Sequence, residues 1–122
     1  DLISPVDWMD ESQDLNERVR SYLDVNCGHC HSPTGNANST GLYLHLNETR
    51  DVNLGVYKKP VATGRGSGGL KYSIVPGKPE ESILLHRMIS MDPGVMMPES
   101  GRALTHEEAV EMVREWIMFM EK

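Results

Sequence analysis

Aromatic residues are scarce in this 122-residue chain: Trp8, Tyr22, Tyr43, Tyr57, Tyr72, Trp116 and Phe119 are all it has. So few rings make a thin core unless something else helps to fill it. Cysteine is scarcer still. Cys27 and Cys30 are the only two, they share one short motif, and none is left to bridge it to the rest of the chain. Basic residues are outnumbered, 12 Lys and Arg against 18 Asp and Glu, for a formal net charge of −6. That balance argues against nucleic acid and anionic membrane surfaces as partners and permits docking to a basic protein. No apolar run approaches the length of a membrane span, and residues 1–7 lack the pattern of a secretory signal. The length suits a single domain over residues 1–122.

What the chain does have is Cys27-Gly28-His29-Cys30-His31. A C-x-x-C-H run is the attachment pattern of c-type haem. Two thiols at this spacing can each form a thioether to one haem vinyl group, and the adjacent His31 is then held where its imidazole binds the iron. Two other chemistries use similar residues. Zinc needs four ligands, often from two cysteine pairs, and there is no second pair here. A Cys27–Cys30 disulfide is the alternative in an oxidising compartment, but redox C-x-x-C pairs open a helix after a strand, whereas this one closes a helical pattern. Burying several hundred Å² of porphyrin would contribute on the order of 10 kcal/mol, so the haem-free chain is expected to be weakly folded or unfolded.

Three helices are legible. Ser12 to Cys30 reads as the first, with Leu15, Val19, Tyr22, Leu23 and Cys27 on one face, Ser12 or Asp14 as its cap, and Pro33 against its continuation. Pro79 opens a second that runs to about Ile89, with Glu80 and Glu81 in its first turn and Ile83, Leu84, Arg87 and Met88 nearly in line. Thr105-His106-Glu107-Glu108 is a capping box for the last, whose apolar stripe is Ala109, Met112, Val113, Trp116, Ile117 and Met120. Residues 35–77 hold eight of the eleven glycines and read as a long loop region, with a short extended piece over Leu42–Leu46.

The second axial ligand decides between electron transfer and reaction at iron. Of the eight methionines, Met96 and Met97 lie in a loop between Pro93 and Pro98. Pro98 fixes its own φ and biases Met97 toward extended backbone, so Met97 is the expected ligand, with Met96 next. His45 and His86 offer bis-histidine ligation instead.

Further segments carry a narrower resemblance: Gly41-Leu42-Tyr43-Leu44, Ile74-Val75-Pro76-Gly77-Lys78-Pro79-Glu80-Glu81-Ser82, Arg87-Met88, Met97-Pro98 and the run from Leu104 to Ile117. With the attachment motif, they resemble a class I-type mono-haem cytochrome c domain, and more closely the planctomycete-type domains of larger exported bacterial proteins. The resemblance implies an all-α, cytochrome c-like fold of about three main helices around one covalent haem c, with His31 and Met97 on the iron. It also implies that the Pro33 carbonyl accepts a hydrogen bond from the His31 ring. Two positions depart from the pattern: Glu99 follows Pro98 where a second proline is usual, and His45 follows Leu44 where an acidic residue is common. For the haem carboxylates, Arg87, Arg102, Lys71 and Tyr72 are candidate donors, Arg102 foremost because it is near the Met97 loop.

The expected function is electron transfer through a His/Met-ligated haem c, with no catalysis by the chain itself. Its redox partner would be another protein, by analogy an exported oxidase such as a copper polysaccharide monooxygenase. The rival expectation is a haem enzyme or gas sensor, a peroxidase for instance, with a labile sixth ligand. Haem attachment takes place outside the cytoplasm in bacteria, so the expected location is periplasmic or extracellular. A chain opening on Asp1 is expected to be a mature form or an excised part of a longer exported protein, and a monomer.

Overall fold

The computed structural model describes residues 5–28, 31, 42–46, 48, 50–59, 68–90 and 106–120. Four α-helices appear among them: α1 over Leu15–Leu23, α2 over Asp51–Leu54, α3 over Ile83–Ile89 and α4 over His106–Met118. A π-helical turn, Asp24–Gly28, extends α1, and a 3₁₀ turn, Pro79–Glu81, precedes α3. The described residues contain no strand, only isolated parallel bridges pairing Val56 with Ile74 and Tyr72 with Ser82. They are thus compatible with the expected all-α class. None of their helices is long and apolar enough to cross a membrane. The chain divides into two compact units, Asp1–Leu54 and Gly55–Lys122.

In the first unit α1 starts later than the periodicity suggested. Asp14, not Ser12, is its cap: the carboxylate accepts the Glu17 N–H at 3.1 Å, filling one of the orphan donors of the first turn. Ser12 is occupied one turn earlier, where its hydroxyl and N–H both donate to Asp10. These bonds, with a third from Gln13, hold the Asp10 carboxyl below the usual range. The α-helix also stops short of Cys30. Asp24 donates its N–H to both the Arg20 and Ser21 carbonyls, and from there the backbone widens into the π turn that ends at Gly28. Val19, Tyr22 and Leu23 are buried as the apolar face requires. The incoming segment lies along the helix: Trp8 meets Tyr22 edge-on at 5.1 Å, its carbonyl takes the Arg18 Nε–H at 2.9 Å, and the Val6 N–H donates to Ser21 Oγ.

The second unit places α3, α4 and the 3₁₀ turn in contact. The expected helix from Pro79 to Ile89 is broken at Ser82, whose backbone is extended (φ −97°, ψ 123°). Ser82 is fully buried, and its hydroxyl accepts the Val75 N–H at 2.8 Å while donating to the Lys78 carbonyl at 3.1 Å. That exchange ties the Val75–Lys78 turn to the start of α3, a use of serine that competes with helix continuation. Ser82→Ala leaves the Val75 N–H without its acceptor and is expected to destabilise the protein by about 1–3 kcal/mol, as read from urea unfolding. In α3, Leu85 rather than Leu84 or Arg87 joins Ile83 and Met88 in the core.

α4 begins at His106, one residue after the expected cap at Thr105, which lies outside the described residues. Ala109, Met112, Val113, Trp116 and Ile117 are buried as its stripe predicts, whereas Met120 lies beyond the helix end and is half-buried. Gly77 explains part of the Val-Pro-Gly-Lys run. At φ 80° it turns its N–H onto the Ile117 carbonyl, 2.8 Å away, in the last turn of α4. Arg114, on the outer side of α4, is hydrogen-bonded to Glu80 and also to Glu111, which raises the Arg114 pKa.

Candidate functional site

The C-x-x-C-H motif begins on the last turn of the first helical segment. Cys27 is half-buried in the π turn and is a thiol outside any disulfide. A π turn spaces its residues more widely than an α-helix, and such turns recur where a helix must present a functional group. The chain then returns on itself: the His31 N–H donates to the Cys27 carbonyl at 2.8 Å. His31 is half-buried, and its own carbonyl accepts the Leu44 N–H at 2.7 Å. Its backbone is therefore held on both sides, which limits where the imidazole can swing. Cys30, His29, Pro33, Met96, Met97 and Arg102 lie outside the described residues. Among the described residues no cluster of three or more His, Cys, Asp or Glu is arranged to hold a metal ion.

Residues 42–46 form the wall beside the motif. They are not the extended piece their alternation predicts; Leu42, Tyr43 and Leu44 are irregular and His45-Leu46 bend away. Only Leu44 is buried, at 1% exposed, and its N–H is the one on His31. The Tyr43 N–H goes instead to Asn53 in α2, at 2.7 Å. Pairing out to two different segments is what prevents a ladder from forming.

Gly28 shows how close this wall approaches. A Cβ there would fall 2.9 Å from His45 Cα and 3.1 Å from the Leu44 carbonyl oxygen, both backbone atoms that cannot swing aside. Only glycine allows the turn to lie flat on this segment. The first x of C-x-x-C-H is thus dictated by packing.

Two charged residues pin the wall in place. Arg20, on α1, is 4% exposed, and its Nη2 donates to the carbonyls of His45 at 3.3 Å, Leu46 at 3.1 Å and Glu48 at 2.6 Å. Asp24, at the start of the π turn, accepts the Leu46 N–H at 2.8 Å. Burial lowers the Arg20 pKa, and the charges of Glu48, Asp24 and Asp51 oppose that shift. Neither residue is among the expected site residues, although Arg20 carries a signal. It stands three residues before Leu23 and seven before Cys27, on the stripe that faces inward.

Among the described residues, two buried polar atoms here have no hydrogen-bond partner, Arg20 Nε and His45 Nδ1. The His45 ring meets Tyr43 at a centroid distance of 6.4 Å. His86, the other candidate for bis-histidine ligation, lies in α3 with its ring over Gly68, where a Cβ would come within 2.5 Å of Nε2.

Of the expected carboxylate donors, Lys71 and Tyr72 line an open cleft of about 410 Å³ in the second unit, together with Glu81. Tyr72 is engaged edge-on by Tyr57, which sits in the left-handed region at φ 50°. Arg87 is half-buried in α3.

A thiol at Cys27 and a backbone-fixed imidazole at His31 are the donor types that covalent haem attachment requires, and their chemistry fits that group. No family model, no curated protein and no solved structure matches this chain.

Proposed function

We propose that the chain carries one haem c and passes single electrons between partner proteins outside the cytoplasm, without transforming a substrate itself. Cys27 and Cys30 would hold the group through thioethers, and His31 and Met97 would be its axial ligands. When bound, the haem supplies an iron centre that gains and loses one electron; the chain's own residues hold, orient and shield it. The observation that carries the proposal is the C-x-x-C-H motif, whose first cysteine lies in a π turn and whose histidine is held through both backbone polar groups. A thioether ligand from Met97 would raise the potential of the bound iron, which suits an electron carrier better than a catalyst.

The test begins with a pyridine haemochrome assay on protein made in a host with haem-attachment machinery. A spectrum of haem with both vinyl groups saturated is expected, and a colourless protein would sink the proposal. The ferric protein is then expected to show the near-infrared methionine-to-iron band. Met97→Ala should abolish that band and lower the reduction potential. A band unchanged in Met97→Ala moves the ligand assignment elsewhere, to Met96 first.

A further inference from the structure

The π turn that carries Cys27 is held unevenly. On its inner side, Asp24 accepts the Leu46 N–H at 2.8 Å, and Gly28 lies against the backbone of Leu44 and His45. On its outer side packing offers little, because Val25 is 73% exposed and Asn26 is exposed as well. A hydrogen bond acts there instead. The Asn26 side-chain amide donates from Nδ2 to the Tyr22 carbonyl, four residues back, at 3.0 Å. In an α-helix that carbonyl would be bonded from residue 26 by the main chain. Here the side chain of the same residue supplies a donor, which suits a backbone that has widened into a π turn. Asparagine is a weak helix former because its amide competes for nearby backbone groups in this way.

Cys27 follows directly. It is half-buried between Asn26 and Gly28, and its carbonyl accepts the His31 N–H at 2.8 Å. Its direction therefore depends on the turn before it and on the return of the chain after it. We infer that Asn26 is a positioning residue for the first attachment thiol: through the Tyr22 carbonyl it keeps the π turn wide, and so sets where Cys27 stands when a haem vinyl group is offered. The inference rests on the haem reading of the motif and adds to it a residue that C-x-x-C-H does not include. The step served is an addition. The Cys27 S–H adds across the vinyl double bond, sulfur bonding to the carbon next to the ring and hydrogen going to the terminal carbon, with nothing oxidised or reduced. Such a step is sensitive to small misplacement of the reacting atom, so a relaxed turn slows it. Cys30 comes after the turn's last residue, Gly28, and the effect is expected at Cys27 first.

The experiment makes each variant in a host with haem-attachment machinery and reads the two thioethers separately. The haemochrome band moves to longer wavelength when one vinyl group stays unsaturated, and mass spectrometry after alkylation shows which cysteine was left unjoined. Asn26→Ala removes the amide. Asn26→Asp keeps its shape but offers only acceptors at neutral pH. Asn26→Ser restores a donor, because a serine hydroxyl can bond the carbonyl four residues back. In the first two variants the share of chains joined through Cys27 is expected to fall about fivefold, the weight of one hydrogen bond, while Cys30 stays joined. Asn26→Ser should recover most of that loss, which a general weakening of the fold would not explain. Asn26 is exposed, so none of these changes enters the core, and if Asn26→Asp fails to accumulate, Asn26→Ala decides. Equal loss at both cysteines overturns the assignment and makes Asn26 a residue of the fold alone. A wild-type protein with no haem overturns the cytochrome reading as well, whereas haem joined at both cysteines in every variant overturns this assignment alone.

Discussion

On the proposed function, replacing Cys27 and Cys30 together with alanine is expected to give a haem-free chain whose first unit no longer unfolds cooperatively. The described part of the first unit buries only Val19, Tyr22, Leu23, Leu44 and Leu54 as apolar core. That is little for a segment that must also bury Arg20. Natural domains are stable by about 5–15 kcal/mol, and burial of a porphyrin contributes a figure of the same order, about 10 kcal/mol. Without the group, almost nothing is left to offset the conformational entropy of ordering the loops. Single variants keep one thioether and should retain some bound haem and a lowered melting temperature. Circular dichroism during heating, paired with the haemochrome assay, checks both statements. A double variant that melts as cooperatively as the wild type would show that the fold stands without the group.

Arg20→Met is expected to cost about 3 kcal/mol, more than an ordinary surface arginine would. Two effects oppose each other. Methionine removes a buried charge whose desolvation is expensive, and such replacements are sometimes neutral when every partner leaves together. Here the partners stay, because they are the main-chain carbonyls of His45, Leu46 and Glu48, which no side-chain change can delete. The unsatisfied carbonyls decide the sign. Arg20→Lys should fall between the two, since one ammonium keeps the charge but lacks the geometry of the guanidinium. Urea unfolding gives the magnitude, and amide exchange locates it. The Leu44 and Leu46 amides should lose protection while Val113, in the second unit, keeps its own. Equal loss at all three would mean a global effect and sink the local account.

Some of this arrangement was legible before any coordinates. The inward face of α1, the Asp14 cap as one of two choices, and the stripe of α4 all follow from side chains recurring every three or four residues. The rest was hidden for particular physical reasons. A π turn has no repeat of its own within five residues, so Asp24–Gly28 read as more helix. Arg20 shares the inward stripe, but its charge marks it as a surface residue, and only its three main-chain acceptors explain its burial. The break at Ser82 depends on a hydroxyl exchange with Val75 and Lys78, and α2 is a single turn, too short to show periodicity. Leu42–Leu46 alternated as a strand does, yet its bonds go to His31 and Asn53, not to a neighbouring strand. As for the site, Cys27 and His31 are adjacent to a fixed backbone as the motif suggests, while Cys30 and Met97 lie outside the described residues.

The Leu44–His31 bond also says something about the order of maturation. Every residue found to brace the motif's backbone, from Arg20 and Asp24 to Leu44, His45, Leu46 and Glu48, precedes Gly55. A chain exported N-terminus first therefore presents these bracing residues before Met97 follows. On the proposed function, cofactor capture and closure of the iron's second axial position become separate events in the life of the chain. An intermediate ligated through His31 alone would exist between them.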